Sequence, residues 1–272
     1  MDKTFALGWE EWAAFPKLGL PAVRAKVDPG ARTSALHAVS VEPFGPLDKP
    51  QVRFIMHPVP DKPEIADLGC GQGASAFELL RLTNGRVTAV DRFGPFREKL
   101  GGRAEDEGIG EDRLTVTRGD MEALSFEEAA FDLIWSEGAI YLLGFEHGLE
   151  AWRKFLKPGG FVAVSECTWL TATPSDEARA FWEAAYPTMG TIASNCEAAV
   201  RAGFEIIGTH VLNEDDWWAE YYTPMRARIA EMRATYGEAA EEVLANEEAE
   251  IALFENNPGQ YSYVFYVLRR KG

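Results

Sequence analysis

The feature that most constrains this chain is residues 65–74, which read Ile-Ala-Asp-Leu-Gly-Cys-Gly-Gln-Gly-Ala. A short apolar run, 65–68, has the length and composition of a buried strand. Gly69, Gly71 and Gly73 follow it at once. Glycines let the backbone turn sharply and pass close to a ligand where a Cβ would clash. A helical stretch over 74–82 comes next. Strand, glycine turn and helix in that order open a βαβ unit, and βαβ units build parallel sheets. The pattern continues down the chain. Asn84-Gly85 turns it into a strand over 87–90, followed by a helix over 96–107 and a strand over 114–117. A strand over 131–135, a helix over 145–156, a turn at 157–160 and a strand over 161–165 come next. Helices around 176–186 and 195–202 lead to a strand over 204–212. A helical stretch over 214–256 and a last strand over 261–268 end the chain. This alternation predicts an α/β fold, a parallel sheet with helices on both faces.

Composition bounds what such a sheet can serve. The chain has 272 residues, 46% apolar and 26% charged, enough to bury a core. No run of about 18 apolar residues is present, which predicts no membrane span. The opening residues lack an apolar signal core, which predicts no secretory leader. Cys70, Cys167 and Cys196 are odd in number and widely spaced, so they predict a reducing, cytoplasmic setting and no metal site. The net charge is −16, and residues 213–256 alone hold 12 acidic and 3 basic groups. Such a surface repels phosphate backbones, so nucleic acid is not the expected partner.

The acids around the glycine turn narrow the ligand. Gly69, Gly71 and Ala74 also fit the looser dinucleotide-binding pattern, so the glycines alone are ambiguous. Asp67 stands at the strand end, two residues before Gly69, where a carboxylate holds a cationic amino group. Asp91 ends the next strand, 24 residues later, placed for both hydroxyls of a ribose, with Arg92 beside it. Gly119-Asp120-Met121 follows the third strand. There Asp120 can meet the exocyclic amine of adenine and Met121 can pack on the ring. A charged amino acid end, a ribose and an adenine describe S-adenosylmethionine. The Asp67 and Asp120 positions weigh against a nucleotide-dependent oxidoreductase.

With these motifs in place the sequence resembles the class I S-adenosylmethionine-dependent methyltransferases. The resemblance rests on residues 67–73, Val90-Asp91, Gly119-Asp120-Met121, residues 131–135 (Phe-Asp-Leu-Ile-Trp) and residues 156–160 (Leu-Lys-Pro-Gly-Gly), in the family's order and spacing. It covers about 62–272. More narrowly, residues 135–141, Gly144-Phe145-Glu146, Phe181-Trp182 and Tyr186-Pro187 are similar to a bacterial subgroup of small methyltransferases. The resemblance implies a Rossmann-like sheet of seven strands whose last strand runs antiparallel, and methyl transfer as the chemistry. It implies a cofactor site at Asp67, Gly69, Gly71, Gly73, Asp91, Arg92, Asp120, Met121 and Ser136.

Ligands of an open parallel sheet bind beyond the carboxyl ends of its strands. Ser136, Glu137 and Tyr141 follow the fourth strand, and Glu166, Thr168 and Trp169 follow the fifth, so both sets are expected to face the donor. Glu137, Tyr141 and Glu166 are the candidate catalytic residues, a glutamate serving as base if the acceptor must lose a proton. The alternative for each glutamate is to bind the cofactor or brace a helix. Asp132 begins its strand and reads as structural, Cys70 as a small turn residue and His147 as a surface residue.

Residues 213–259 are far longer than a hairpin needs and read as a lid insertion. On an α-helix Trp217 would share a face with Tyr221, and Trp218 with Tyr222. These four aromatics and Trp169 are expected either to line the pocket of a small-molecule acceptor or to be the lid's packing face.

Residues 1–60 do not fit this pattern. Eight of the chain's 15 prolines lie there, between extended runs at 22–28, 34–41 and 52–56. The run from Gly8-Trp9 through residues 26–37 resembles the start of a retropepsin-like ATP-dependent protease family. Asp28 falls on that family's active-site aspartate, but Pro29 stands where the family has a hydroxyl. Half a protease domain with one such aspartate predicts a β-rich arm or remnant. The chain therefore divides into 1–60 and a methyltransferase domain over 61–272. The helices that usually cover the cofactor are missing, so residues 1–60 or a second subunit, as in a homodimer, would cover the site. The alternative function is a non-catalytic protein that keeps the fold and binds the cofactor.

Overall fold

The computed structural model describes residues 62–272 throughout and, before them, Pro60 and the strand segments 10–15, 20–26, 40–44 and 51–55. The chain divides into two units, Met1–Lys62 and Pro63–Gly272. In the first, β1 (Glu10–Phe15) pairs antiparallel with β2 (Leu20–Lys26). Likewise β3 (Ser40–Phe44) pairs antiparallel with β4 (Gln51–Ile55). Pro43, which the sequence reading takes as a break, lies inside β3 opposite Val52. Both strands of a two-stranded ribbon are edges, so a residue without an N–H is tolerated there. Asp28 and Pro29 lie outside the described residues.

The second unit is built on one seven-stranded sheet. Its strands are β5 (Glu64–Leu68), β6 (Arg86–Asp91), β7 (Leu114–Arg118), β8 (Phe131–Ser136), β9 (Leu156–Trp169), β10 (Phe204–Val211) and β11 (Tyr261–Arg270). The order across the sheet is β7-β6-β5-β8-β9-β11-β10, with β11 antiparallel to both of its neighbours and the rest parallel. The order reverses between β5 and β8, and that is where an open sheet of this kind leaves a crevice.

Alternation along each strand supplies two cores. Ile65, Val87, Ala89 and Leu114 face α1 (Ala74–Leu82) and α2 (Gly94–Asp106) through Phe77, Leu80 and Leu100. Ala66, Leu68, Ile134, Val162 and Val164 face α3 (Phe145–Arg153) and α5 (Ile192–Arg201) through Leu149, Trp152, Ala198 and Ala199. Both faces are apolar because both are covered. A third cluster belongs to the end of the chain. There α6 (Glu214–Asp216), α7 (Thr223–Tyr236) and α8 (Glu241–Asn256) follow one another, and Trp217, Tyr222, Ile229, Leu244, Ile251 and Phe254 pack together against Tyr261. α4 (Asp176–Ala185) joins it through Ala178.

The structure differs from the sequence reading at two places that matter for the site. The first is β9. Helix α3 ends at Arg153, and β9 begins at Leu156, runs through the expected turn at 157–160 and continues to Trp169. Leu156 pairs with Phe131 before the register shifts, and β11 then pairs with β9 from Arg269 opposite Phe161 to Tyr261 opposite Trp169. Glu166, Thr168 and Trp169 therefore lie on the strand, not beyond it. Three positions apart, Glu166 and Trp169 project to opposite faces. Asp132 is structural, as expected. Its carboxylate accepts from Lys157 Nζ at 2.7 Å and from the Glu64 N–H at 2.9 Å.

The second difference is at Trp217–Tyr222, which form a π-helical turn rather than α-helix. Pro224, the second residue of α7, has no N–H to donate back into this turn. The wider turn adds a pair five apart, while Trp218 and Tyr222, four apart, still meet at 5.3 Å as expected. Trp217 stacks on Tyr222, with ring centroids 5.3 Å apart and planes at 24°, while Trp217 and Tyr221 meet only edge-on at 6.0 Å.

A buried polar network pins α5 to the sheet. Asn195 Nδ2 donates to Thr168 Oγ1 at 3.3 Å and to the Tyr266 hydroxyl at 3.1 Å, and those two hydroxyls lie 3.1 Å apart. Replacing Asn195 with alanine leaves both hydroxyls short of a partner in the interior. N195A is expected to lose about 1–3 kcal/mol in urea unfolding; a loss under ~0.5 kcal/mol would show that the network contributes little.

Candidate active site

The glycine turn after β5 is held by β6. The Gly69 and Cys70 N–H groups both donate to the Val90 carbonyl, at 2.9 and 3.0 Å. The Gly71 N–H donates to Asp91 Oδ2 at 3.0 Å, and the Phe93 N–H to Asp91 Oδ1 at 2.7 Å. All three glycines have positive φ, from 53° to 91°. Their surroundings separate their roles. A Cβ on Gly69 would lie 2.4 Å from the Ala139 Cβ, so this glycine permits the loop after β8 to close on the turn. A Cβ on Gly73 would lie 2.7 Å from Leu100, so that one permits α2 to pack on the start of α1. A Cβ on Gly71 would meet nothing within 4 Å. Gly71 thus borders open space at the crevice, with a carboxylate beneath it.

Asp67 is 1% exposed, and its Oδ2 has no hydrogen-bond partner. Burial first, then the charges of Glu137 and Asp91, push its pKa up to about 7, against one backbone hydrogen bond from Ala76. Ser136, at the end of β8, is fully buried and its Oγ also lacks a partner. Glu137 is committed: Oε2 accepts from Ser75 Oγ at 2.9 Å and from Trp135 Nε1 at 3.4 Å, which ties the first turn of α1 to the loop after β8. Met121 sulfur stands 3.3 Å from where a Cβ on Gly69 would be, and the Met121 carbonyl accepts from Trp152 Nε1 at 3.0 Å. Asp120 is exposed and caps its own turn, accepting from the Glu122 N–H at 3.0 Å. Arg92 is exposed. Its neighbour in the same helix entry, Arg97, is the one that holds β6, donating to the Asp91 carbonyl at 2.8 Å.

A second group lies along β9 and the elements around it. Glu166 is 1% exposed, and neither carboxylate oxygen has a partner in hydrogen-bonding geometry. Burial pushes its pKa up to about 8, against a smaller lowering by the nearby Tyr186 hydroxyl and the Cys167 N–H. Tyr186 meets Tyr141 edge-on at 6.1 Å. Tyr141 and Tyr221 are the exposed members, at 44% and 46%. Trp217, Trp218 and Tyr222 are instead the interior of their own segment. Trp217 stacks on Phe254 and Tyr263 at 4.9 and 5.3 Å and donates from Nε1 to Ser262 Oγ at 2.8 Å. The Tyr222 hydroxyl donates to Glu250 Oε1 at 3.1 Å, and Trp218 lies under the Arg226 guanidinium at 5.0 Å. Trp169 packs edge-on against Tyr261 at 6.1 Å in the same cluster. Sequence reasoning missed Ser75, Tyr186 and Tyr263 as members of these groups. Tyr186 and Tyr263 come from segments with no glycine motif to mark them.

Residues 65–160 match the methyltransferase domain family. In fold, the chain is similar to an S-adenosylmethionine-dependent methyltransferase from Geobacter sulfurreducens, solved with S-adenosyl-L-homocysteine. The TM-score is 0.65 at 21% identity, over 77% of this chain and 85% of that one. Residues 65–160 thus carry a methyltransferase domain, and the larger unit has the fold of that methyltransferase. In sequence it is 27% identical over 171 residues to a sterol 24-C-methyltransferase of Kluyveromyces lactis, covering 59% of this chain and 45% of that protein. It is also 42% identical over 86 residues to a "Probable alpha-L-glutamate ligase" of Shewanella halifaxensis, covering 32% of this chain and 19% of that protein. The chain spans less than half the length of these curated relatives.

The methyltransferase domain fits its family's cofactor on its own geometry. A buried carboxylate oxygen without a partner, Asp67 Oδ2, suits the ammonium of an amino acid end. The open space at Gly71 admits a ligand where other residues would place a Cβ. Among the described residues no group of three metal-ligating side chains is present, and no helix is long and apolar enough to cross a membrane.

The raised Asp67 pKa carries a stability consequence with a definite sign. The folded chain keeps the Asp67 proton up to about pH 7, whereas the unfolded chain releases it near pH 4. Stability from this group is therefore lost as pH rises from about 4 through 7. D67N removes that loss, so its melting temperature is expected to exceed the wild-type value at pH 8 by several degrees, with little gain at pH 4. Equal shifts at the two pH values would contradict the assignment.

Proposed function

We propose that the larger unit transfers a methyl group from S-adenosylmethionine to a small-molecule acceptor, in a site covered by residues 213–259. The observation that carries this reading is Asp67, a buried carboxylate with Oδ2 unpartnered, beside a glycine turn that opens on space. Bound S-adenosylmethionine supplies a methyl group activated by its sulfonium charge.

The chain's own residues then bind, orient and exclude water. Asp67 holds the ammonium, and the ion pair restores the charge that burial suppresses. Asp91 already accepts two backbone N–H bonds, yet a carboxylate has about four acceptor positions, so two remain for ribose hydroxyls. Met121, beside Gly69, offers a polarizable surface for the adenine, and Asp120 an acceptor for its amine. Ser136 Oγ, buried and unpartnered, offers a further donor. Glu137, held by Ser75 and Trp135, shapes the pocket around Asp67 rather than moving protons. In-line displacement asks little more of a protein than alignment and a dry site. A lid with its own aromatic core, Trp217 on Phe254 and Tyr222, is rigid enough to exclude water. The net charge of −16 disfavours nucleic acid as acceptor and leaves a small molecule.

Calorimetry with S-adenosylmethionine tests the site, and S-adenosylhomocysteine release over a metabolite library tests turnover. Binding in the micromolar range is expected. D91A is expected to weaken it at least tenfold, about 1.4 kcal/mol. No binding below about 1 mM would overturn the reading, and unchanged affinity in D91A would displace the ribose from Asp91.

A further inference from the structure

Glu166 is a fully buried carboxylate with neither oxygen hydrogen-bonded, and the cofactor reading leaves it unused. Its surroundings are aromatic. The Tyr186 hydroxyl is its near neighbour, Tyr141 packs edge-on against Tyr186, and Tyr266 on the adjacent strand, β11, shares its face of the sheet. Burial and then the Glu166 charge hold the Tyr186 hydroxyl above its ordinary range. Exposure falls inward, from Tyr141 at 44% through the half-buried Tyr186 to Glu166 at 1%.

Resting on the methyl-transfer reading, we propose that Glu166 and the tyrosines around it form the acceptor subsite and that the acceptor is a small amine, bound as its ammonium ion. Two arguments meet here. An unpaired buried carboxylate is costly to ionise and is compensated best by a cation. Aromatic faces attract cations, most strongly where water is excluded, and hold alkylated ammonium groups without needing hydrogen bonds. No basic side chain of this chain forms an ion pair with Glu166 among the described residues. With a neutral hydroxyl acceptor Glu166 stays protonated, whereas an ammonium favours its ionised form. Before methylation the ammonium gives a proton to Glu166, which frees the nitrogen lone pair. The N–C bond then forms as the C–S bond breaks, with its electron pair staying on sulfur.

Cation binding makes a countable change. Glu166 is protonated at neutral pH in the free protein, and a cation favours its ionised form. The titratable groups nearest it on its own face are Tyr186 after α4, with Tyr141 against it, and Tyr266 on β11, while Cys167 beside it and Tyr263 opposite Cys167 project to the other face, with Trp217, Tyr222 and Glu250. Cys167, Tyr186, Tyr221, Tyr263 and Tyr266 are all raised by burial and stay protonated at pH 7. Glu250 is also raised by burial, so the E166Q variant is needed to separate the two glutamates.

The test uses the full chain and ammonium compounds from methylammonium to choline, each paired with an uncharged isostere (3,3-dimethylbutan-1-ol for choline). Titrations run with and without saturating S-adenosylhomocysteine, in buffers of different ionisation enthalpy. At least one ammonium is expected to bind tenfold or more tightly than its isostere. Choline has no proton to lose at pH 7, so the half to one proton expected to be released on its binding comes from the protein. In E166Q the cation preference and the proton release both disappear while S-adenosylhomocysteine affinity stays within twofold. If E166Q does not fold, the wild-type isostere comparison decides. No cation preference, or a preference and proton release unchanged in E166Q, overturns the proposal. Failure of S-adenosylhomocysteine to bind instead overturns the methyl-transfer reading, and the titrations without it still decide on the cation.

Discussion

The Val90 carbonyl holds the site together by accepting from two consecutive N–H groups, Gly69 and Cys70, in the turn after β5. These two hydrogen bonds to β6 fix the direction in which the chain leaves the strand. It brings Gly69 under Ala139 from the loop after β8, and it turns the Gly71 N–H onto Asp91. Glycine is required because φ is positive throughout and because two of the three positions have no room for a Cβ. The crevice between β5 and β8 is thereby lined by backbone and by acids. Asp67 is left buried with Oδ2 unpartnered, a cost that a cationic ligand removes.

The acids of the site are sorted by what they touch. Glu137 is bonded to Ser75 and Trp135 and works as a brace. Asp91 is half satisfied by backbone N–H groups. Asp67 and Glu166 are buried with free oxygens, and burial raises both. Environment rather than residue type separates binding from bracing here, as it does wherever carboxylates share a site.

Much of this was legible in the sequence. The β5 strand, its glycine turn, Asp91 at the end of β6 and the alternation of strands and helices follow from local pattern, because apolar periodicity and glycine spacing report local geometry directly. The extent of β9 was not legible, since Lys157-Pro158-Gly159-Gly160 has turn composition and only pairing with Phe131 and with β11 carries the strand through and beyond it. That extension moves Glu166 and Trp169 to opposite faces. The π turn at Trp217–Tyr222 was equally hidden, because the sequence carries the α-helical spacing of its aromatics and the packing of Trp217 on Phe254 and Tyr263 is tertiary. Asn195, Tyr186 and Tyr263 belong to their networks through tertiary contact and carry no local signal.

The central claim is that Asp67 is a vacant partner for a cationic amino group. Carbon-13 NMR of labelled aspartate, titrated in the free protein and again with saturating S-adenosylhomocysteine, tests it most directly. The Asp67 carboxyl is expected to titrate near pH 7 in the free protein and at least two pH units lower with the ligand bound. A carboxyl that titrates near pH 4 in both, or one near pH 7 that does not move, would contradict the account.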